Sequence, residues 1–142
     1  MKSSSKPLHP LRSWLSIERN QTSHGEKWIS ALGALIGISV VYQLTHWCFP
    51  GGFGNHAGGA ILLASMGASA VLVFAVPHGA LSQPWAVIAG HLVSAFIGVS
   101  CQLMFPEQAW TGALAVGRAV GAMHYLRCIH APGGATALAA VI

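Results

Sequence analysis

The sequence predicts an all-α, multi-pass transmembrane helical bundle of four spans, with a C-terminal segment suited to a re-entrant half-helix. Three observations point there. Charged residues are 7% of the 142, against about 25% in soluble domains, too few to build a water-facing surface. Hydrophobic residues reach 54%, which suits a lipid-facing one. After a polar start, four apolar runs follow, each near the length that a ~30 Å hydrocarbon core requires.

Residues 1–27 form a basic arm, and Lys2, Lys6, Arg12, Arg19 and Lys27 are five of the seven Lys and Arg residues. Leu8, Leu11 and Leu15 recur at helical spacing beside Trp14, a pattern that suits a helix lying in the headgroup region. Pro7 and Pro10 interrupt its start, so an unstructured tail fits as well. Residues 28–142 are expected to form one transmembrane domain, with spans at 28–45, 58–76, 85–105 and 110–126. Trp28 opens the first span as an interfacial aromatic, Pro77 closes the second, and Pro84 stands at the first turn of the third. Gly112, Gly117 and Gly121 let neighbouring backbones approach along the fourth. Residues 130–142 carry an apolar portion of about ten residues, too short to cross. A half-helix or the front of a further span both accommodate it.

Lys and Arg placement orients the bundle. The arm stays cytoplasmic, loop 46–57 lies outside, and four passes return the chain to the cytoplasmic side at Arg127. The expected location is the cell inner (cytoplasmic) membrane, with the lipid bilayer as first partner. The same reading assigns the basic arm to topology and not to nucleic acid. Cys48, Cys101 and Cys128 are odd in number and form no CxxC, so neither a disulfide framework nor a thiolate metal site is expected. His46, Cys48 and His56 match no zinc spacing; no metal and no cofactor are expected. Nucleophilic catalysis needs a Ser or Cys with an oriented His and ideally a third group. The chain has no GxSxG and no carboxylate within its apolar runs, and no enzyme activity is expected.

Arg118 falls near the centre of the fourth run, where a charge costs ~2.5–3.5 kcal/mol even on lenient scales. Two readings stand: a structural cation paired with carbonyls or snorkelling to the interface, and an anion-attracting charge facing a watery cavity. The chain has no Asp, and its three Glu lie outside the apolar runs. Cation carriers generally use intramembrane carboxylates, which turns the expectation towards an anion. Gly67-Ala68-Ser69-Ala70 and Gly134-Ala135-Thr136-Ala137 are two copies of one small pattern. They are expected either to pack helices closely or to form interrupted segments in corresponding halves, with half-helix ends aimed at a substrate. Freed N–H groups suit an anion there, and Ser69 and Thr136 add hydroxyls. His91, in the third span, and His124 and His130, near the end of the fourth, either bond between helices or line a route and titrate. The candidate substrate-binding residues are therefore Arg118, Ser69, Thr136, Gly67, Gly133, Gly134, His130 and His91.

The segment His130-Ala131-Pro132-Gly133-Gly134-Ala135-Thr136-Ala137-Leu138 resembles the signature of the HPP family of integral membrane proteins. That family is named for a His-Pro-Pro tripeptide, followed by Gly-Gly-Ala-Thr. Met66 to Phe74 resembles a second family block, as does the stretch from Leu81-Ser82-Gln83-Pro84-Trp85 through Gly90-His91-Leu92 to Gly98. The likeness covers roughly residues 28–142. Ala131 replaces the middle proline and removes one backbone restraint, and family members typically continue into further membrane-embedded sequence. The resemblance implies a multi-pass membrane protein, with nitrite transport assigned to some members. The expected function is therefore transport of a small, nitrite-like anion. A small organic acid is the alternative substrate, and a non-transporting structural membrane subunit the alternative role. Four spans supply little wall for a pore, so a homo-oligomer is expected.

Overall fold

The computed structural model describes residues 22–50, 56–106 and 108–142. The amphipathic stretch expected around Leu8 to Leu15 lies outside them. The first apolar run sits in α1 (His24–Cys48), which starts four residues before the expected boundary at Trp28. A capping box accounts for the earlier start. The Ser23 hydroxyl accepts from the Glu26 N–H at 3.2 Å, and the Glu26 carboxylate accepts from the Ser23 N–H at 2.6 Å, satisfying two end donors reciprocally.

The chain continues through α2 (Ala57–Ala75), a 3₁₀ turn (Ala80–Ser82), α3 (Pro84–Met104), α4 (Thr111–Tyr125) and α5 (Gly133–Ala139). No strand occurs among the described residues. By length and composition α1, α2 and α3 are able to cross a membrane. α4, where a fourth span was expected, has 15 residues, which rise only about 22 Å. It stops because Arg127 adopts a left-handed conformation, φ 53°. The Cys128 N–H then donates to the Met123 carbonyl at 3.0 Å and the Arg127 N–H to that of His124 at 3.2 Å. These two bonds form a Schellman motif, which closes a helix C-terminus.

Side-chain size is distributed as lipid requires. The buried faces carry small residues, with Ala115 and Ala119 at 0% exposure, while Phe96 and Leu103 are 74% and 78% exposed. Lipid tails accept large apolar groups as readily as a protein core does, so helices associate through close packing of small residues. Trp28, Trp47, Trp85 and Trp110 are all exposed and stand at or near helix ends, as in the aromatic belts of membrane interfaces. α1 packs on α2, where Gly33 and Gly37 make room for the Phe74 ring. α2, α3 and α4 each pack against α5. The approach is close at Gly98 and at Gly58, where a Cβ would come 2.5 Å from the Ala137 and Ala139 carbonyl oxygens respectively.

Candidate functional site

The Schellman turn sends the chain back into the bundle, and it enters by burying Cys128 and His130 completely. Gly90 of α3 is what admits them: a Cβ there would lie 2.7 Å from the His130 Cβ and 2.9 Å from the Cys128 carbonyl. Two residues further on, Pro132 and Gly133 start α5 against the inner faces of α2 and α3. Ser65 and Ser69 are one helical turn apart on α2, so both face this segment, and both are buried.

A continuous polar chain results. His130 Nδ1 lies 2.8 Å from the Leu81 carbonyl oxygen; a carbonyl only accepts, so this nitrogen carries the proton. His130 Nε2 lies 2.9 Å from Ser69 Oγ, which is also 2.9 Å from His91 Nε2. The other nitrogen of His91, Nδ1, lies 2.7 Å from Thr136 Oγ1. Thr136 Oγ1 lies 3.0 Å from Ser65 Oγ, which donates to the Pro132 carbonyl at 2.6 Å. The two imidazoles meet edge to face, with centroids 4.8 Å apart. Ser69 also has the Ser65 carbonyl at 3.0 Å. The line therefore runs from one backbone carbonyl to another through two rings and three hydroxyls, drawn from α2, α3, α5 and the segment before α5.

Ser69, His91, His130 and Thr136 thus come together, with the His91 ring bridging the two hydroxyls that the repeated pattern singles out. Gly133 is buried beside them: a Cβ on it would meet Ser94 Oγ at 2.8 Å. Gly134 is half-buried and faces Val116, while Gly67 looks onto open space, with nothing within 4 Å of a Cβ. α2 runs unbroken through Gly67 to Ala70, so the expected half-helix end at that copy is not there. No proline or competing cap interrupts the run. His124 is exposed in the last turn of α4. Among the described residues no three His, Cys, Asp or Glu side chains group to hold a metal.

Arg118 is exposed and apart from this chain. Its Nη1 reaches Cys101 Sγ at 4.0 Å. Cys101 is ten residues beyond His91 on α3, a rise of about 15 Å. Long helical side chains lean towards the N-terminus of their helix, which for Arg118 is the Thr111 end. Ser65 was missed by sequence reasoning. Its one signal is its position a turn before Ser69 on the same face.

The HPP transmembrane region family model matches residues 19–142. The chain is similar to a transmembrane protein of Dictyostelium discoideum, 44% identical over 123 residues, which cover 83% of this chain and 37% of that protein. A second transmembrane protein of the same organism is 38% identical over 86 residues, 58% of this chain and 30% of its own length. The chain therefore spans about a third of the length of these curated relatives. No solved structure matches it significantly.

Proposed function

The chain belongs to the HPP transmembrane region family, an integral membrane, multi-pass group, and from that premise we propose that it carries a small monoanion of nitrite's size across the bilayer. One observation carries the reading. Past Glu26 in the first turn of α1, the described residues hold no carboxylate side chain, yet they place a guanidinium, two imidazoles and three hydroxyls in or beside the bundle. Intramembrane polar groups are expensive and usually functional. A set of donors without a counter-ion suits an anion.

In this reading α4 is a short fourth crossing. Its two ends are tied to those of α3: Trp85 Nε1–H donates to the Leu126 carbonyl at 3.2 Å, and the Thr111 hydroxyl donates to the Phe105 carbonyl at 2.7 Å. α5 is then a half-helix that ends inside the bundle. With the basic arm cytoplasmic, Arg118 serves the outer mouth and the His91–His130 pair the inner half. A guanidinium that leans towards the interface is well placed to gather anions there, so snorkelling and anion attraction are one arrangement. α1 has no buried residue, and its outer face is where a second copy would complete the wall of a path.

Catalysis is the weaker reading. Ser69 lies against two imidazoles, as a nucleophile would, but its oxygen is crowded by three polar neighbours and the residue is only 7% exposed. The base-orienting group is a carbonyl and not a carboxylate.

Nitrite flux into liposomes holding the full chain tests the proposal. Arg118→Ala should remove protein-dependent flux, and Arg118→Lys should keep it but need more anion, because an ammonium lacks the planar fork that grips a flat anion. Normal flux in folded Arg118→Ala would sink the role given to Arg118. No flux from folded wild-type protein, with nitrite or small carboxylates, would favour the non-transporting subunit.

A further inference from the structure

We propose that the line from the Leu81 carbonyl to the Pro132 carbonyl binds one proton, shared by His91 and His130 across Ser69, and that this proton is the co-substrate of the anion. The coupling half of this inference rests on the transport reading above; the proton site does not.

The inference comes from counting protons. Six hydrogen-bond links join the two carbonyls: Leu81 to His130, His130 to Ser69, Ser69 to His91, His91 to Thr136, Thr136 to Ser65, and Ser65 to Pro132. Each link needs one proton. Both ends are acceptors only, so every proton must come from the five side chains between them. A neutral imidazole supplies one and a hydroxyl supplies one, which makes five. The neutral line is one proton short wherever the vacancy is placed. Every buried side-chain nitrogen and oxygen among the described residues has a partner within reach, yet distance alone does not supply the missing hydrogen.

One added proton fills all six links. Two arrangements achieve this. With His130 cationic, its Nε2–H donates to Ser69, whose own proton goes to His91 Nε2. With His91 cationic, its Nε2–H donates to Ser69, whose proton goes to His130 Nε2. In both, His130 Nδ1–H faces Leu81, and the protons on the His91–Thr136, Thr136–Ser65 and Ser65–Pro132 links point the same way. The two forms therefore differ only in the two protons flanking Ser69 Oγ. Ser69 accepts one and releases its own, with 2.9 Å on each side. The Ser65 carbonyl beside Ser69 and the Pro132 carbonyl 3.4 Å from Thr136 are alternative acceptors off the line, and a hydroxyl proton turned to either leaves one more link empty.

The surroundings leave the charge to the line itself. α2 contributes Ser65 and Ser69, the 3₁₀ turn the Leu81 carbonyl, α4 the uncharged Met123, and the segment before α5 the buried Cys128 thiol. Among the described residues no Asp, Glu, Lys or Arg bonds to either ring. The added proton thus makes a lone cation inside the bundle, which a monoanion offsets. Proton and anion together are electroneutral, so each makes the other's passage less costly.

The test uses the full chain with ¹⁵N-labelled histidine in lipid nanodiscs, with ring nitrogens followed by NMR between about pH 5 and 8, the window in which imidazoles ordinarily titrate. His91→Gln and His130→Gln assign the signals. The expected result is uptake of one proton by the pair, with both Nε2 signals moving together and His130 Nδ1 protonated throughout. In Ser69→Ala the proton should settle on one ring, so that the two Nε2 signals no longer move together. Uptake of none or two, or a change confined to one ring in the wild type, overturns the shared site. In liposomes, the initial rate of nitrite entry above protein-free vesicles should follow an imposed pH gradient and ignore an imposed membrane potential. Nitrite flux that follows the potential alone overturns the coupling and leaves transport standing. Uptake of one proton without anion flux upholds the proton site and removes the transport reading.

Discussion

Gly98 and Gly67 lie mid-helix in two neighbouring spans, yet they have opposite surroundings. At Gly98 a Cβ would press on the Ala137 carbonyl at 2.5 Å and the Ala140 Cβ at 2.8 Å, whereas at Gly67 it would meet nothing within 4 Å. Gly98→Val should therefore push α3 away from α5 and destabilise the fold on the order of 1–3 kcal/mol, as overpacking does. Gly67→Ala should stabilise α2 by roughly 0.5–1 kcal/mol, the helix penalty of glycine. Denaturant titration in mixed micelles checks both, and equal shifts would contradict the packing around α5. At this scale the sequence was partly readable. Ser69, Thr136, His91 and His130 stood out by residue type and position, but not their connection, which depends on how residues 126–132 turn. Gly67 and Ser69 share one four-letter pattern. Residues two positions apart on a helix are about 200° apart around its axis, so the pair face different ways, and periodicity alone separates them.

Two of the helix boundaries carried signals of unequal strength. Ser23-His24-Gly25-Glu26 is a capping box in plain sequence, S-x-x-E ahead of an apolar run, and it sets the true start of α1. The end of α4 was hidden, because the left-handed position that glycine or asparagine usually takes is filled by Arg127. A non-glycine residue there bears a steric cost of roughly 1–2 kcal/mol. Arg127→Gly should therefore raise stability by about 1 kcal/mol, offset in part by the greater freedom of glycine in the unfolded chain. The comparison is made in the same mixed micelles. A loss of stability would mean that the Arg127 side chain contributes more than its backbone strain removes. The half-helix expected at Gly67 to Ala70 failed for the converse reason. Small residues permit a break but do not force one, and Ala57 to Ala75 contains no proline.

For the whole molecule, the all-helical multi-pass character was legible because composition leaves few other ways to solvate the chain. The number of crossings was less so, since α4 has only 15 residues and, with Arg118 and His124 in it, is less apolar than α1, α2 or α3. In the proposed four-span arrangement its ties to α3 at both ends, with the turns that flank it, carry it to both interfaces. Trp85 marks one level with Leu126, and the Phe105 and Trp110 rings, 5.0 Å apart, mark the other. In the proposed orientation, with the basic arm cytoplasmic, the first level lies inside. Cysteine labelling of intact cells with an impermeant maleimide decides the matter, in a background where Cys48, Cys101 and Cys128 are replaced. Asn55→Cys, between α1 and α2, should react without permeabilisation. His78→Cys, in the exposed turn before α3, should react only after it. Tyr125→Cys, at a side chain 92% exposed, should behave as His78→Cys does, because a fourth crossing returns α4 to that face. Reaction of Tyr125→Cys with the Asn55→Cys group would leave three crossings and place α4 and α5 on the outer side. Exchange of all three patterns would invert the orientation while preserving the four spans.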